Sequence, residues 1–432
     1  MGGGMRKPRW IVKPVAVGGD LGEASGGAGV GGLSGNENGN GNSAPGRAGK
    51  PVIYHCISRV VERRFAFGPD EKEKLRTFMR MYENFSGNRV LSYCFMCNHI
   101  HLLVEITPAP AGGLTDEELL RRVGCIRSEA QVAMLAKELA EARKTVAAGV
   151  VKDAASYVAA IHERFTWRMH DLSQFMQGFL QRFSLWFNSK HERSGHLWED
   201  RFKSVIVEDG VAARTMAAYI DLNPVRAGIV EDPAEYRWSS YGEAIGGPVK
   251  DHRLTGSGAK GNGKKSREGL VRACLAHEGV GFEAERWKDV SRIYRRLMGM
   301  ALGKNKGRAA VEGRGVVTKN TAEMLESEDN ETVLPDLGMA GMLLCRIRYF
   351  TDGAVIGSRA FVNSAFEGAR ERFGARRKDG ARPMRGNAKA ANEHLWSIRD
   401  LRLSINHPAA EPCHNLPTDD HSPVHSCKNS TG

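Results

Sequence analysis

Apolar and polar positions along the chain recur with two different periods, and the switches between them mark out the elements. VIYHCISRV, beginning at Val52, is rich in β-branched residues and predicts a first strand. Over 70–85, Leu75, Phe78, Met79 and Tyr82 recur at three- and four-residue spacing, which predicts a helix. Gly87 and Asn88 break it. VLSYCFMC and HIHLLVEI then predict paired strands, with Cys97 and Asn98 at the turn. The stretch 114–168 is rich in Ala, Glu, Lys and Arg and predicts a helical insertion. A further helix is expected over 172–191, with Phe175, Phe179, Phe183 and Trp186 or Phe187 on its apolar face. FKSVIVE predicts a strand, and 211–223 a helix that Pro224 ends.

Without the insertion, the order is strand, helix, strand, strand, helix, strand, helix. That order suits an α+β, ferredoxin-like antiparallel sheet with helices on one face. Residues 1–50 form a Gly-rich arm that buries too little apolar surface to offset the entropy of ordering. A first folded domain, the one that carries the candidate chemistry below, is expected over 51–245, with the insertion at about 114–168, and a Gly- and Lys-rich linker over 246–265. A mostly helical, basic accessory domain is expected over 266–404, and a disordered tail over 405–432. Within the accessory domain, FTDGAVIGSRAFVNSAF suggests a short helix–turn–helix.

Charge adds a partner class. Lys plus Arg number 62 against 50 Asp plus Glu, for a net charge of +12. This favours a polyanion such as nucleic acid. No apolar stretch is long enough to span a bilayer, and MGGGMRKPRW lacks a signal-peptide core. A cytoplasmic, nucleoid-associated protein is expected, with no membrane partner. The eight cysteines are scattered, as reduced thiols would be. Cys94 and Cys97 form a CxxC on a strand and are read as core packing. Cys413, His414, His421, His425 and Cys427 lie in a polar tail without the apolar framework of a metal site.

The candidate chemistry lies in three runs. His99 and His101 sit two apart on a strand and so share a face, which suits a divalent cation. Tyr219 lies four residues before Asn223, so phenol and carboxamide leave one helical face. The amide oxygen could complete a metal site while the phenol attacks phosphorus. The plainer alternatives are a core aromatic and a helix C-cap. HERSGHLWEDRFKS offers Arg193, Arg201 and Lys203 to phosphates, and Trp198 as a platform for an unpaired base or as a buried core ring. Nothing in the sequence separates a site role for His196 from a turn histidine. Arg226 is a further candidate phosphate contact. The basic run ARERFGARRKDGARPMRGNAKA could hold backbone phosphates or be a solvated face.

YHCISR at Tyr54, NHIHLLVE, GHLWEDRFKS, YIDLNPVRAG and the closing YRWSSY occur in that order. Together they resemble the single-tyrosine HUH transposases, most closely the REP-associated tyrosine transposases of the insertion-sequence two-hundred type. The resemblance runs from about 51 to 241 and is interrupted by the helical insertion. It implies a ferredoxin-like fold, Mg2+ or Mn2+, and single-stranded DNA carrying hairpins. It also implies a 5′-phosphotyrosine intermediate and a free 3′-OH. By resemblance, His99 and His101 are the HUH pair, Tyr219 the nucleophile and Asn223 the third-ligand position. Mobile members commonly carry Gln there. Compact members are dimers, whereas REP-associated ones are monomers, so either a monomer or a homodimer is implied. Two rivals remain. One is a non-catalytic hairpin-binding regulator. The other is a relaxase-type initiator, for which no GxxxxGK[ST] phosphate loop occurs.

Overall fold

A computed structural model describes residues 50–149, 154–246, 259–274, 287–288, 290–291, 294–295, 297–298, 350–351, 353–370, 373, 377–383 and 395–399. The Gly-rich arm, much of the linker and of the basic run, and the C-terminal tail with its cysteines and histidines lie outside the described residues.

Among the described residues one sheet has seven strands, in the order β2-β3-β1-β4-β5-β7-β6. Its first four members are β1 (Val52–Arg59), β2 (Arg89–Phe95), β3 (His99–Ile106) and β4 (Lys203–Val207). They pair antiparallel in the order β2-β3-β1-β4, which is the ferredoxin-like arrangement. β5 (Gly353–Gly357) then adds parallel to β4, with β6 (Arg382–Pro383) and β7 (Trp396–Arg399) beyond it.

Alternation along the strands divides the core into two layers. Tyr54, Cys56, Ile100, Leu102 and Val104 face helices α1 (Pro69–Ser86) and α5 (Leu172–Lys190), which bring Leu75, Met79, Phe175, Phe179 and Phe183. Local signals set the ends of these helices. Glu71 reaches back 2.9 Å to the Gly68 amide at the start of α1, and Gly87 ends it at φ 73. Asp171 accepts from the Gln174 amide at 2.9 Å to open α5. The insertion is helical: α2 (Asp116–Gly124), α3 (Glu129–Ala147) and α4 (Ala154–Thr166), adding Leu119, Leu135 and Ile161 to this layer.

The opposite face is also covered by helices, a layer beyond the one-sided expectation. Ile53, Leu91, Leu103, Val205 and Val207 meet α6 (Val211–Asp221), α8 (Ser240–Ile245) and α9 (Ala259–Cys274), which supply Met216, Tyr219, Ile220, Tyr241 and Leu270. A one-turn helix, α7 (Asn223–Arg226), follows α6 directly. The edge is tied by Glu243 of α8. It takes Arg76 at 3.2 Å, Arg80 at 3.1 Å and the Tyr93 hydroxyl at 2.9 Å, with Ser266 of α9 also bonded to it. Burial of Glu243 is thus offset by two guanidinium groups, which hold its carboxyl below the usual range.

Two expectations change in detail. Part of the expected linker, 259–265, lies in α9. The proposed helix–turn–helix is instead strand β5 followed by α10 (Arg359–Glu367). The run Ala-Val-Ile between Gly353 and Gly357 is fully buried and short, so it pairs as a strand beside β4. Strands from beyond the linker therefore extend the ferredoxin-like sheet. No helix of the described residues is long and apolar enough to cross a membrane.

Candidate functional site

The β1–β3 register places the histidines. His101 lies opposite Ile57, His99 opposite Arg59, and His55 opposite Leu103. Directly paired residues share a face, so His55, Arg59, His99 and His101 all belong to the face that α6 covers. Lys203 pairs with Ile57 and joins the same face from β4.

Each histidine of the pair is held through Nδ1. His99 Nδ1 lies 2.7 Å from Asn98 Oδ1, and Asn98 Nδ2 donates to the Arg63 carbonyl at 3.0 Å. His101 Nδ1 lies 2.9 Å from His55 Nε2, and His55 Nδ1 lies 2.6 Å from the Phe350 carbonyl. The His55 and His101 rings are within 12° of parallel, while His99 and His101 cross at 79° with centroids 5.0 Å apart. His99 is half-buried and His101 buried. Desolvation, and then the neighbouring His99, His55 and Arg226 charges, hold His101 well below its ordinary value. Burial likewise lowers His55 to about 4, against the opposing pull of the Phe350 carbonyl.

Tyr219 stands near the end of α6, its ring edge-on to His55 at 6.5 Å. Phe350 covers it at 4.8 Å, and the Arg226 guanidinium sits 3.9 Å from its ring centroid. The phenol is consequently only 2% exposed. Arg226 also donates to the Tyr219 carbonyl at 2.6 Å, so this candidate phosphate contact is turned onto the tyrosine. Leu222 keeps αR geometry (φ −85), which carries the chain from α6 into α7 and preserves the four-residue step from Tyr219 to Asn223. Asn223 Nδ2 donates to the Tyr219 and Ile220 carbonyls at 3.4 and 3.2 Å, and its amide oxygen is the atom suited to a cation. Beside them, burial pushes Asp221 up to about 7, although Tyr294 and the Tyr241 amide donate to it at 2.6 and 3.0 Å.

Trp198 is placed elsewhere. Its ring packs on Phe67 at 5.7 Å and Phe183 at 6.0 Å, and its indole N–H donates to the Leu180 carbonyl at 3.3 Å. It belongs to the α1–α5 layer, on the other side of the sheet from the histidines. This packing of a partly buried ring is what the core reading of the tryptophan expects. Arg193 lies in that region too, 5.6 Å from the Phe187 ring centroid. Arg201 is exposed just before β4, and Lys203 and Arg59 are half-buried. His196 is exposed in the same loop.

His55 and Arg59 carried no role in the sequence expectations. The available signal was the alternation of YHCISR, which puts both on one side of β1. Only the register shows that this is the side of His99 and His101.

Among the described residues, no group of three or more His, Cys, Asp or Glu side chains is arranged to hold a metal ion. The donors that the motifs nominate are two imidazoles and the Asn223 amide. This set fits Mn2+ or Mg2+: imidazole suits the former, and a hard amide oxygen suits both. Nδ1 contacts of the kind seen at His99 and His101 are typical of metal-binding histidines.

Residues 50–111 match a family model described as "Transposase IS200 like". The matched segment contains His55, Asn98, His99 and His101 and ends well before Tyr219. The resemblance read from the motifs holds in this segment. A solved structure of a REP-associated tyrosine transposase bound to a REP hairpin is similar at 11% identity and a TM-score of 0.29, covering 56% of this chain and 96% of that one. No curated protein matches the chain.

Proposed function

We propose that this protein is a DNA transposase acting as a metal-dependent transesterase on single-stranded, hairpin-flanked DNA, with Tyr219 as its nucleophile. The observation that carries this reading is the convergence of His99, His101 and Tyr219 on one covered sheet face. The family match over 50–111 supports the transposase class.

In this reading His99, His101 and Asn223 hold a divalent cation. When bound, it supplies charge neutralisation at the non-bridging oxygens of the scissile phosphate. The Tyr219 oxygen forms a bond to phosphorus as the bond from phosphorus to the 3′ oxygen breaks. The phenol gives up its proton and the leaving oxygen gains one, so a 5′-phosphotyrosine and a free 3′-OH result. The phosphotyrosyl bond conserves the phosphodiester energy, and a later 3′-OH can rejoin the strand without ATP. The Arg226 guanidinium, over the tyrosine ring and bonded to the Tyr219 carbonyl, holds the ring in place beside His55. Arg59, Arg201 and Lys203 lie near the histidine end of the sheet and can contact backbone phosphates.

A second reading is favoured by one observation. Tyr219 is covered by Phe350 and Arg226, as in a hairpin-binding regulator that has no use for a reactive phenol. One experiment separates the two. Labelled single-stranded hairpin DNA is incubated with the protein in Mg2+ or Mn2+ and run on a denaturing gel. The transesterase gives a cut strand that EDTA abolishes, and that His99→Ala and His101→Ala lose while still binding the hairpin. Binding with an intact strand under every cation condition supports the regulator instead.

A further inference from the structure

The two histidines of the HxH pair are each the end of a short hydrogen-bond relay that begins on a main-chain carbonyl, and a carbonyl can only accept. At His99 the direction of every link follows. The Arg63 carbonyl must be met by the Asn98 amide nitrogen, at 3.0 Å. The Asn98 oxygen is thereby the atom facing His99 Nδ1 at 2.7 Å, so Nδ1 must carry the proton. At His101 the same logic runs through a second ring. The Phe350 carbonyl, 2.6 Å away, requires a proton on His55 Nδ1. A neutral His55 then presents a lone pair at Nε2, which requires a proton on His101 Nδ1, 2.9 Å away. His55 is fully buried, which disfavours a second proton on it.

We propose that His55 and Asn98 are positioning residues that lock His101 and His99 in the Nδ1–H tautomer, so that both present the Nε2 lone pair to a divalent cation. The inference rests on the metal-dependent reading above. It gives a task to the buried His55, to which the motifs assigned no role, and to the Phe350 carbonyl. Residues 295 positions apart in sequence are joined by one hydrogen bond at this point. The near-parallel planes of His55 and His101 (12°) suit an in-plane bond between ring nitrogens. The two relays start from different parts of the chain: one from the turn after β1, where Arg63 has φ 56, the other from Phe350, beyond the linker.

The test uses the full chain labelled with nitrogen-15 histidine, with His55→Leu and His55→Gln beside it. Gln keeps an acceptor for His101 and a donor for the Phe350 carbonyl, whereas Leu fills the space with neither. Long-range proton–nitrogen correlation spectra of the metal-free protein read the tautomers directly. His99 and His101 are expected as Nδ1–H forms, with His101 losing that form in His55→Leu and keeping it in His55→Gln. Mn2+ titration should show affinity falling by about 10- to 100-fold in His55→Leu, with recovery to within a few-fold in His55→Gln. An Nε2–H form of His101 in the unsubstituted protein overturns the relay, as does unchanged Mn2+ affinity in a folded His55→Leu. Nδ1–H tautomers in a protein that binds no Mn2+ would leave the relay standing as a hydrogen-bond arrangement and remove its metal purpose, which counts against the metal-dependent reading instead.

Discussion

The two faces of the sheet bury different chemistry. Towards α1 and α5, away from the charged edge of Arg76, Arg80 and Glu243, the buried layer is aromatic and aliphatic, with Phe67, Phe183, Phe187 and Trp198 linked by ring contacts. Towards α6 the layer contains His55 bonded to His101, Asp221 bonded to Tyr294, and Tyr219 with an arginine on its ring. The first face gains its stability from area removed from water, which is tolerant of small shifts. The second holds polar groups that cost free energy unless each has its partner, and so fixes their positions and protonation. Strand alternation alone separates the two: neighbouring residues such as Tyr54 and His55 belong to different layers.

The largest expected contrast is in the pH dependence of the polar face. Asp221 is raised from 3.8 to about 7, so its native state holds a proton that the unfolded state has lost. Its contribution to stability is present below about 4 and is lost as pH rises to about 7. His55 is lowered from 6.5 to about 4 and acts in the other direction: its contribution is present above 6.5 and is lost as pH falls towards 4. The two overlap and partly cancel, so single variants are needed to see them. Denaturant melts of Asp221→Asn should gain on the unsubstituted protein as pH rises from 4 to 7, by on the order of 4 kcal/mol at the top of the window. A constant difference across that window would show that Asp221 is ionised in the fold. His55→Gln should flatten the acid-side loss between 6.5 and 4.

On the aromatic face, Trp198→Ala should cost about 3 kcal/mol of stability, through a lost ring and the cavity it leaves. Affinity for single-stranded DNA should change little. Fluorescence anisotropy and a thermal melt together decide it: a large affinity loss at unchanged stability would restore Trp198 as a base platform. The smallest effect belongs to the rim. Arg201→Ala and Lys203→Ala should each weaken DNA binding modestly and reduce the salt slope by about 0.7, if each neutralises one phosphate. Equal slopes in variant and parent would remove that residue from the DNA path.

Much of the first half of the fold was legible because periodicity is local. The helical spacing of Leu75, Phe78, Met79 and Tyr82 gave α1, and the alternating strands around Cys97 and Asn98 gave the β2–β3 hairpin. His99, His101 and Tyr219 were singled out by their motifs, and the structure brings them to one face. His55 was not found, because its partners depend on register and on a carbonyl from the distant Phe350. Trp198 was ambiguous for a related reason: an aromatic beside basic residues looks the same whether its ring is wet or packed on Phe67. The strand Gly353–Gly357 was misread within a helix–turn–helix because five apolar and glycine residues carry no decisive period.

The chemistry of the α6 face is tested most directly by mapping its covalent product. The protein is incubated with a single-stranded hairpin oligonucleotide and Mn2+, digested, and the nucleotide-bearing peptide sequenced by mass spectrometry. The adduct is expected on Tyr219 through a 5′-phosphate, and Tyr219→Phe should yield none while still folding and binding the hairpin. An adduct on another tyrosine, or strand cleavage that persists in Tyr219→Phe, would contradict the assignment of the nucleophile.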